Sequence, residues 1–136
     1  MSDINDLLPN DAWNLLIKVK NSRLIDVRTH LEWVYVGFPD LSSINKDILK
    51  LEWVYYPSGN YNTNFLKILE NQFKKDTTLI FICKSGHRSA LAAQAASKIG
   101  FKSVFNLKEG FEGDLNASYR GISNGWKARG LPWMQT

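Results

Sequence analysis

The sequence predicts an α/β domain with a mostly parallel sheet and helices on both of its faces. Three observations carry that expectation. Short apolar runs of strand length alternate with amphipathic segments of helical period, as in chained strand-helix-strand units with right-handed crossovers. At 136 residues the chain suits one domain, residues 1–136 with a core at about 11–133, burying about two-thirds of the surface it exposes unfolded. The run Leu79-Ile80-Phe81-Ile82 ends in Cys83, and a short loop leads from there into an Ala-rich amphipathic stretch beginning at Ser89.

Along the chain, Leu7-Leu8-Pro9-Asn10-Asp11 reads as a capped helix start, with Ala12, Trp13, Leu15, Leu16 and Val19 as its apolar stripe. Arg23-Leu24-Ile25-Asp26-Val27-Arg28 reads as a buried strand whose charged end, Asp26 and Arg28, falls at the carboxyl edge where open α/β sheets bind ligands. The pentapeptide Leu-Glu-Trp-Val-Tyr occurs twice, at 31–35 and 51–55. Unrelated flanks argue against a structural repeat, the first copy suiting a short helix and the second a strand running toward Pro57. Tyr61-Asn62-Thr63-Asn64 forms a loop and cap before a helix with Phe65, Leu66, Ile68, Leu69 and Phe73 on one face. The Ala-rich helix places Leu91, Ala92, Ala95, Ala96 and Ile99 together and ends at Gly100. Ser103-Val104-Phe105-Asn106-Leu107 is the last strand, then the turn Glu109-Gly110-Phe111-Glu112-Gly113 and a helical turn or two around Trp126. Trp13, Trp126 and Trp133 read as core or lid packing.

Composition narrows the function. One cysteine excludes an internal disulfide and a Cys-x-x-Cys pair, and with two histidines it offers no zinc spacing, so neither metal nor cofactor is expected. The first residues lack the basic and apolar regions of a signal peptide, and no apolar run approaches membrane-spanning length, which points to the cytoplasm and to no membrane partner. The net charge of +4 is spread along the chain, and Lys18, Lys20, Lys74, Lys75 and Lys102 read as solvated faces, not as a nucleic-acid surface.

The chemistry concentrates at Cys83-Lys84-Ser85-Gly86-His87-Arg88-Ser89. The amides of residues 84–89 are expected to curl around the sulfur at a helix N-terminus, and Lys84 and Arg88 add positive charge, which together favour a thiolate with an anion beside it. The charge has a purpose. A thiolate approaching an anion is repelled by about 4 kcal/mol per pair of unit charges at about 4 Å and an effective dielectric near 20, about a thousandfold in rate. An ionised thiol attacks without a general base, so His87 is expected at the surface or in a loop hydrogen bond. Ser85 and Ser89 are read as helix caps, Asp26 and Arg28 as a structural ion pair, and Glu109, Gly110 and Gly113 as turn formers beside the pocket.

The order and spacing of four segments resemble a single-domain bacterial rhodanese. They are Asp26-Val27-Arg28, the Cys83–Ser89 loop, Glu109-Gly110-Phe111-Glu112-Gly113-Asp114, and Asn124 through Trp133. The resemblance implies a five-stranded parallel sheet with the active loop after the fourth strand, and the activity of a thiosulfate sulfurtransferase. Cys83 would take the outer sulfur of thiosulfate or of a persulfide donor, become a persulfide, and pass that sulfur to cyanide or to a thiol, a protein thiol included. Lys84, Ser85, Gly86, His87, Arg88 and Ser89 would bind the small anionic donor, and Asp26 and Arg28 would support the loop from the neighbouring strand end. The chain departs from the family where many relatives carry Gly-His-x-Pro-Gly-Ala, having Gly37-Phe38-Pro39-Asp40-Leu41 instead. The stretch from Pro57 to Asn64 is long and suits a pocket rim or a partner surface.

Two rivals share the thiol. A phosphatase or arsenate reductase of the cell-cycle-phosphatase type needs five residues between Cys and Arg, whereas four separate Cys83 from Arg88. A persulfide carrier or binding module without turnover would keep the thiol and lose the reaction.

Overall fold

The structure is a computed structural model that describes residues 4–115, 118–120 and 123–136. The chain runs β1 (Asn5–Leu7), α1 (Pro9–Lys18), β2 (Ser22–Asp26), α2 (His30–Tyr35), β3 (Phe38–Pro39), a 3-10 turn (Ser42–Ile44), β4 (Leu49–Lys50), α3 (Phe65–Gln72), β5 (Thr78–Ile82), α4 (His87–Lys98), β6 (Ser103–Leu107) and β7 (Trp133–Met134). Five strands form one sheet in the order β1-β6-β5-β2-β4, every neighbouring pair parallel. All of β5 is buried, which explains why it reads as an unbroken apolar run and not as an alternating one.

Both faces are covered. Leu24, Ile80, Ile82 and Leu107 pack with Ala12 and Leu16 of α1 on one side. Ile25, Leu79, Phe81 and Val104 pack with Phe65 and Leu69 of α3 and with Ala92, Ala93 and Ala96 of α4 on the other. The three alanines are fully buried, so α4 lies close on the sheet. Among the described residues no helix is long and apolar enough to cross a membrane.

The strand order explains where a site can form. From β2 the chain moves outward to β4, and from β5 it moves the opposite way to β6, so the carboxyl ends of β2 and β5 flank the crevice where the winding reverses. Cys83 follows β5 at that edge, and the segment from Val27 to Thr29 follows β2.

Several expectations are corrected. β1, a three-residue edge strand pairing with β6, and β7, which pairs antiparallel with β3, are too short to show a period in the sequence. The second pentapeptide is not a strand over its length: β4 stops at Lys50, then Leu51 and Trp53 donate singly to the Asp26 and Val27 carbonyls, and Val54 bridges Tyr61. It lies at the sheet edge with one partner strand, so no second ladder regularises it. Leu91 is 48 % exposed, and the buried stripe of α4 is Ser89, Ala92, Ala93 and Ala96. Residues 126–130 form turns, not a helix, around a Trp126 ring that is fully buried and donates Nε1–H to the Pro132 carbonyl at 2.7 Å. Pro9 begins α1 without a side-chain cap, its missing N–H being one the first turn would leave unpaired anyway. Lys75 is not simply solvated, because it bonds Glu70 and the Ile99 carbonyl.

Close approach of α4 sets a limit on side-chain size. Ala93→Leu is expected to lower stability by about 1–3 kcal/mol through overpacking, read as a lower urea midpoint with unchanged slope.

Candidate functional site

The site is built from two loops that lock together at the carboxyl ends of β5 and β6. Gly86 has φ +104 and occupies the cap of α4, and a Cβ there would run into the Lys108 carbonyl. Gly110 has φ +71, and a Cβ there would strike the Lys84 backbone. Phe111 N–H donates to the Cys83 carbonyl at 2.8 Å and Glu112 N–H to the Lys84 carbonyl at 3.0 Å. Asn106 Nδ2 donates to the Gly86 carbonyl at 3.2 Å. These contacts fix the loop before any substrate arrives.

Cys83 is 1 % exposed, yet its sulfur is not sealed in hydrocarbon. Gly86 N–H and Ser89 Oγ each lie 3.2 Å from Sγ. The expected cradle of amides from 84 to 89 is therefore reduced to one amide and one hydroxyl among the described residues. Ser89 is not a cap: its Oγ also lies 2.5 Å from Asn106 Oδ1, and Asn106 Nδ2 reaches Asp6 Oδ1 at 3.1 Å. Ser85 supplies no cap either. His87 is exposed, and of the loop only Lys84 and Arg88 reach the wall of the neighbouring cavity.

Arg88 departs most from the expected arrangement. Its guanidinium forks onto Glu32, Nη1 to Oε1 at 2.7 Å and Nη2 to Oε2 at 3.0 Å. Thr29 N–H and Oγ1 also donate to Glu32 Oε1, at 3.1 and 3.0 Å. Burial pushes the Glu32 carboxyl up, but the hydrogen bond and charge of Arg88, the Thr29 amide and the charge of Arg28 outweigh it and hold the group below its ordinary range. Burial likewise opposes the charge on Arg88, and Glu32, Cys83 and Asp26 raise it above its ordinary value. Glu32 was not among the residues singled out in the sequence. It and Arg88 are 56 residues apart and meet only because β2 and β5 are neighbours.

Asp26 and Arg28 are fully buried and bind each other, Nη2 to Oδ2 at 2.7 Å and Nε to Oδ1 at 2.9 Å. Arg28 also donates to the Gly37 carbonyl at 2.7 Å, and its guanidinium carbon lies 4.4 Å from the centre of the Phe111 ring. Since Phe111 N–H holds the Cys83 carbonyl, this pair braces the loop from beneath. Glu109 does more than form a turn. It accepts from Gly125 N–H at 2.8 Å and from Arg129 Nε at 2.6 Å, the Arg129 bond being the first cause of its lowered pKa, and so ties the 124–130 segment to the loop.

Beside the loop opens a cavity of about 560 Å³, walled in part by Lys84, Arg88, Glu32, Glu112, Pro57 and Gly59. The rim expected from the Pro57–Asn64 stretch is thus supplied by its first residues. A hollow of about 430 Å³ near Asn21 and Thr77 lies at the amino ends of β2 and β5, away from Cys83.

Comparison with known proteins agrees with the fold. The family model described as STR4 middle domain matches residues 8–136. Uncharacterized protein RP600 of Rickettsia prowazekii is 39% identical over 131 residues, covering 96% of this chain and 97% of that protein. Rhodanese-like domain-containing protein 4, chloroplastic, of Arabidopsis thaliana is 32% identical over 127 residues, 92% of this chain and 24% of the plant protein. The crystal structure of Rv0390 from M. tuberculosis superposes with a TM-score of 0.91 at 40% identity, over 99% of this chain and 100% of that one.

Two consequences are measurable. Asp26→Ala leaves the Arg28 charge buried without its partner and is expected to cost about 3–5 kcal/mol in urea unfolding. For Glu32, a folded-state value below the ordinary 4.5 means that its contribution to stability is complete above pH 4.5 and is lost as pH falls through the lower folded value. Arg88 stays charged throughout, so unfolding midpoints of wild type and Glu32→Gln are expected to differ at neutral pH and to converge on acidification.

Proposed function

The chain belongs to the rhodanese-like family, and on that premise we propose that it is a sulfurtransferase carrying sulfane sulfur on Cys83. The observation that carries the reading is the sulfur itself, held by Gly86 N–H and Ser89 Oγ at the head of α4, on the edge of the sheet where the winding reverses. The amide and the start of the twelve-residue helix favour negative charge at that atom.

In the first half-reaction the Cys83 thiolate attacks the outer sulfur of thiosulfate or of a persulfide. The Sγ–S bond forms, the donor's S–S bond breaks, and sulfite or a thiolate leaves with the electron pair. In the second, cyanide or a thiolate attacks the outer sulfur of the Cys83 persulfide and restores the thiolate. Because the chain has one cysteine, the acceptor comes from outside it. Ser89 has one hydroxyl proton and two neighbours, Sγ and Asn106 Oδ1. The hydroxyl is therefore within reach of a negatively charged sulfur and can donate to it beside the Gly86 amide.

The phosphatase reading is weaker for two reasons. Four residues, not five, lie between Cys83 and Arg88, and the guanidinium that would clasp a phosphoryl group is forked onto Glu32.

Incubation with thiosulfate or inorganic polysulfide is expected to add one sulfur atom to Cys83, seen by intact mass, and subsequent cyanide is expected to remove it as thiocyanate. Cys83→Ser is expected to abolish both steps and keep the fold. Hydrolysis of an aryl phosphate with no sulfur gain would overturn the assignment.

A further inference from the structure

The cavity beside the Cys83 loop has the wrong walls for a small dianion. Leu31, Tyr35, Val36, Tyr55, Tyr56 and Pro57 form much of it, and Tyr35 and Tyr56 are 73% and 66% exposed, large apolar rings left facing solvent. Its volume of about 560 Å³ falls within the range of about 300–1,000 Å³ typical of sites for organic ligands. Its charged wall residues cancel, Lys84 and Arg88 against Glu32 and Glu112. The Arg88 fork, moreover, is already filled by Glu32. A thiosulfate ion would gain attraction from two cations and lose it to two carboxylates, while an apolar group would cover the exposed rings.

Resting on the sulfurtransferase reading, we infer that this cavity receives the apolar or aromatic body of a small organic thiol or its persulfide, and that Glu32 disfavours inorganic dianions. The exchange balances without an oxidant. Cys83 thiolate attacks the terminal sulfur of R–S–SH, forming Cys83–S–SH as the donor's S–S bond breaks and R–S⁻ leaves. In the other direction R–S⁻ attacks the outer sulfur of Cys83–S–SH and releases the Cys83 thiolate. The organic group occupies the same wall in both directions.

The test uses the full chain, charged with inorganic polysulfide and then exposed to benzyl mercaptan or to 2-mercaptoethanesulfonate. Loss of the extra sulfur is followed by intact mass, and each rate is divided by that of the same thiol with a small persulfide in solution. Benzyl mercaptan is expected to be faster by about tenfold or more, a common reward for filling an apolar pocket. Tyr56→Ser, at an exposed position, is expected to remove most of that advantage. Glu32→Gln is expected to raise the rate of loading from thiosulfate by about tenfold, since one carboxylate no longer faces the dianion. Equal corrected rates for the two thiols, or thiosulfate loading unchanged in a folded Glu32→Gln protein, would overturn the inference and leave sulfur transfer standing. Failure of Cys83 to gain sulfur from either polysulfide or thiosulfate would defeat both readings.

Discussion

The constraint on which the site depends is the contact between two backbones at the carboxyl ends of β5 and β6. Gly86 lies against the Lys108 carbonyl and Gly110 against Lys84, at distances where no side chain fits, and both glycines have positive φ. The contact lets Phe111 and Glu112 donate to the carbonyls of Cys83 and Lys84. It also aims the Gly86 amide at the sulfur. A loop held in this way loses little entropy when it binds, because its geometry is set by hydrogen bonds that the substrate does not have to make. Arg28, neutralised by Asp26 and laid over Phe111, is the part of the core that keeps this junction from sinking.

Around that frame the electrostatics are local. The chain carries a net charge of +4, yet the wall next to the loop holds two cations and two carboxylates, Lys84 and Arg88 with Glu32 and Glu112, and Arg88 is forked onto Glu32. The Glu32–Arg88 fork is partly buried, so its charges are less screened than those of a surface pair, and its bidentate geometry fixes both side chains. Thr29 holds Glu32 from the other side at the start of α2, so the carboxylate serves as both helix cap and ion-pair partner. A residue that looks like a free electrostatic helper in the sequence is therefore a structural strut whose charge is largely answered before a substrate arrives.

How much of this could be read from the sequence follows from distance along the chain. The strand, the loop and the helix around Cys83 are contiguous, so β5, Gly86 and α4 are legible within about twenty residues, as is the buried pair Asp26 and Arg28. The fold class follows from alternation, which survives errors in any one element. What could not be read depends on pairing between remote segments. Glu32 meets Arg88 across 56 positions, and Asp6 meets Asn106 across 100. Strands of two or three residues such as β1, β3 and β7 have no period to detect, and are defined only by the neighbour they bond. The Ala-rich helix is legible as a helix, but its buried face is not, because alanines on several sides give a weak apolar stripe and Leu91 lies outside the buried one.

The repeated pentapeptide shows how context assigns structure and how both copies still reach one place. In the first, Thr29 and Glu32 start α2; in the second, the same letters lie on a sheet edge and pair only in part with the end of β2. Local propensity is the same for both, so tertiary partners decide. Yet Glu52 of the second copy accepts His30 N–H at 3.1 Å, so the glutamates of both copies reach the first turn of α2, where unpaired amides favour negative charge. Tyr35 and Tyr55, the last residue of each copy, line the same cavity beside the Cys83 loop. The parallel pairing of β2 with β4 draws the two segments together, since each copy departs from the carboxyl side of one of these strands. An aromatic wall sharing one cavity with Lys84 and Arg88 is thus a consequence of sheet topology acting on two short stretches that carry the same side chains.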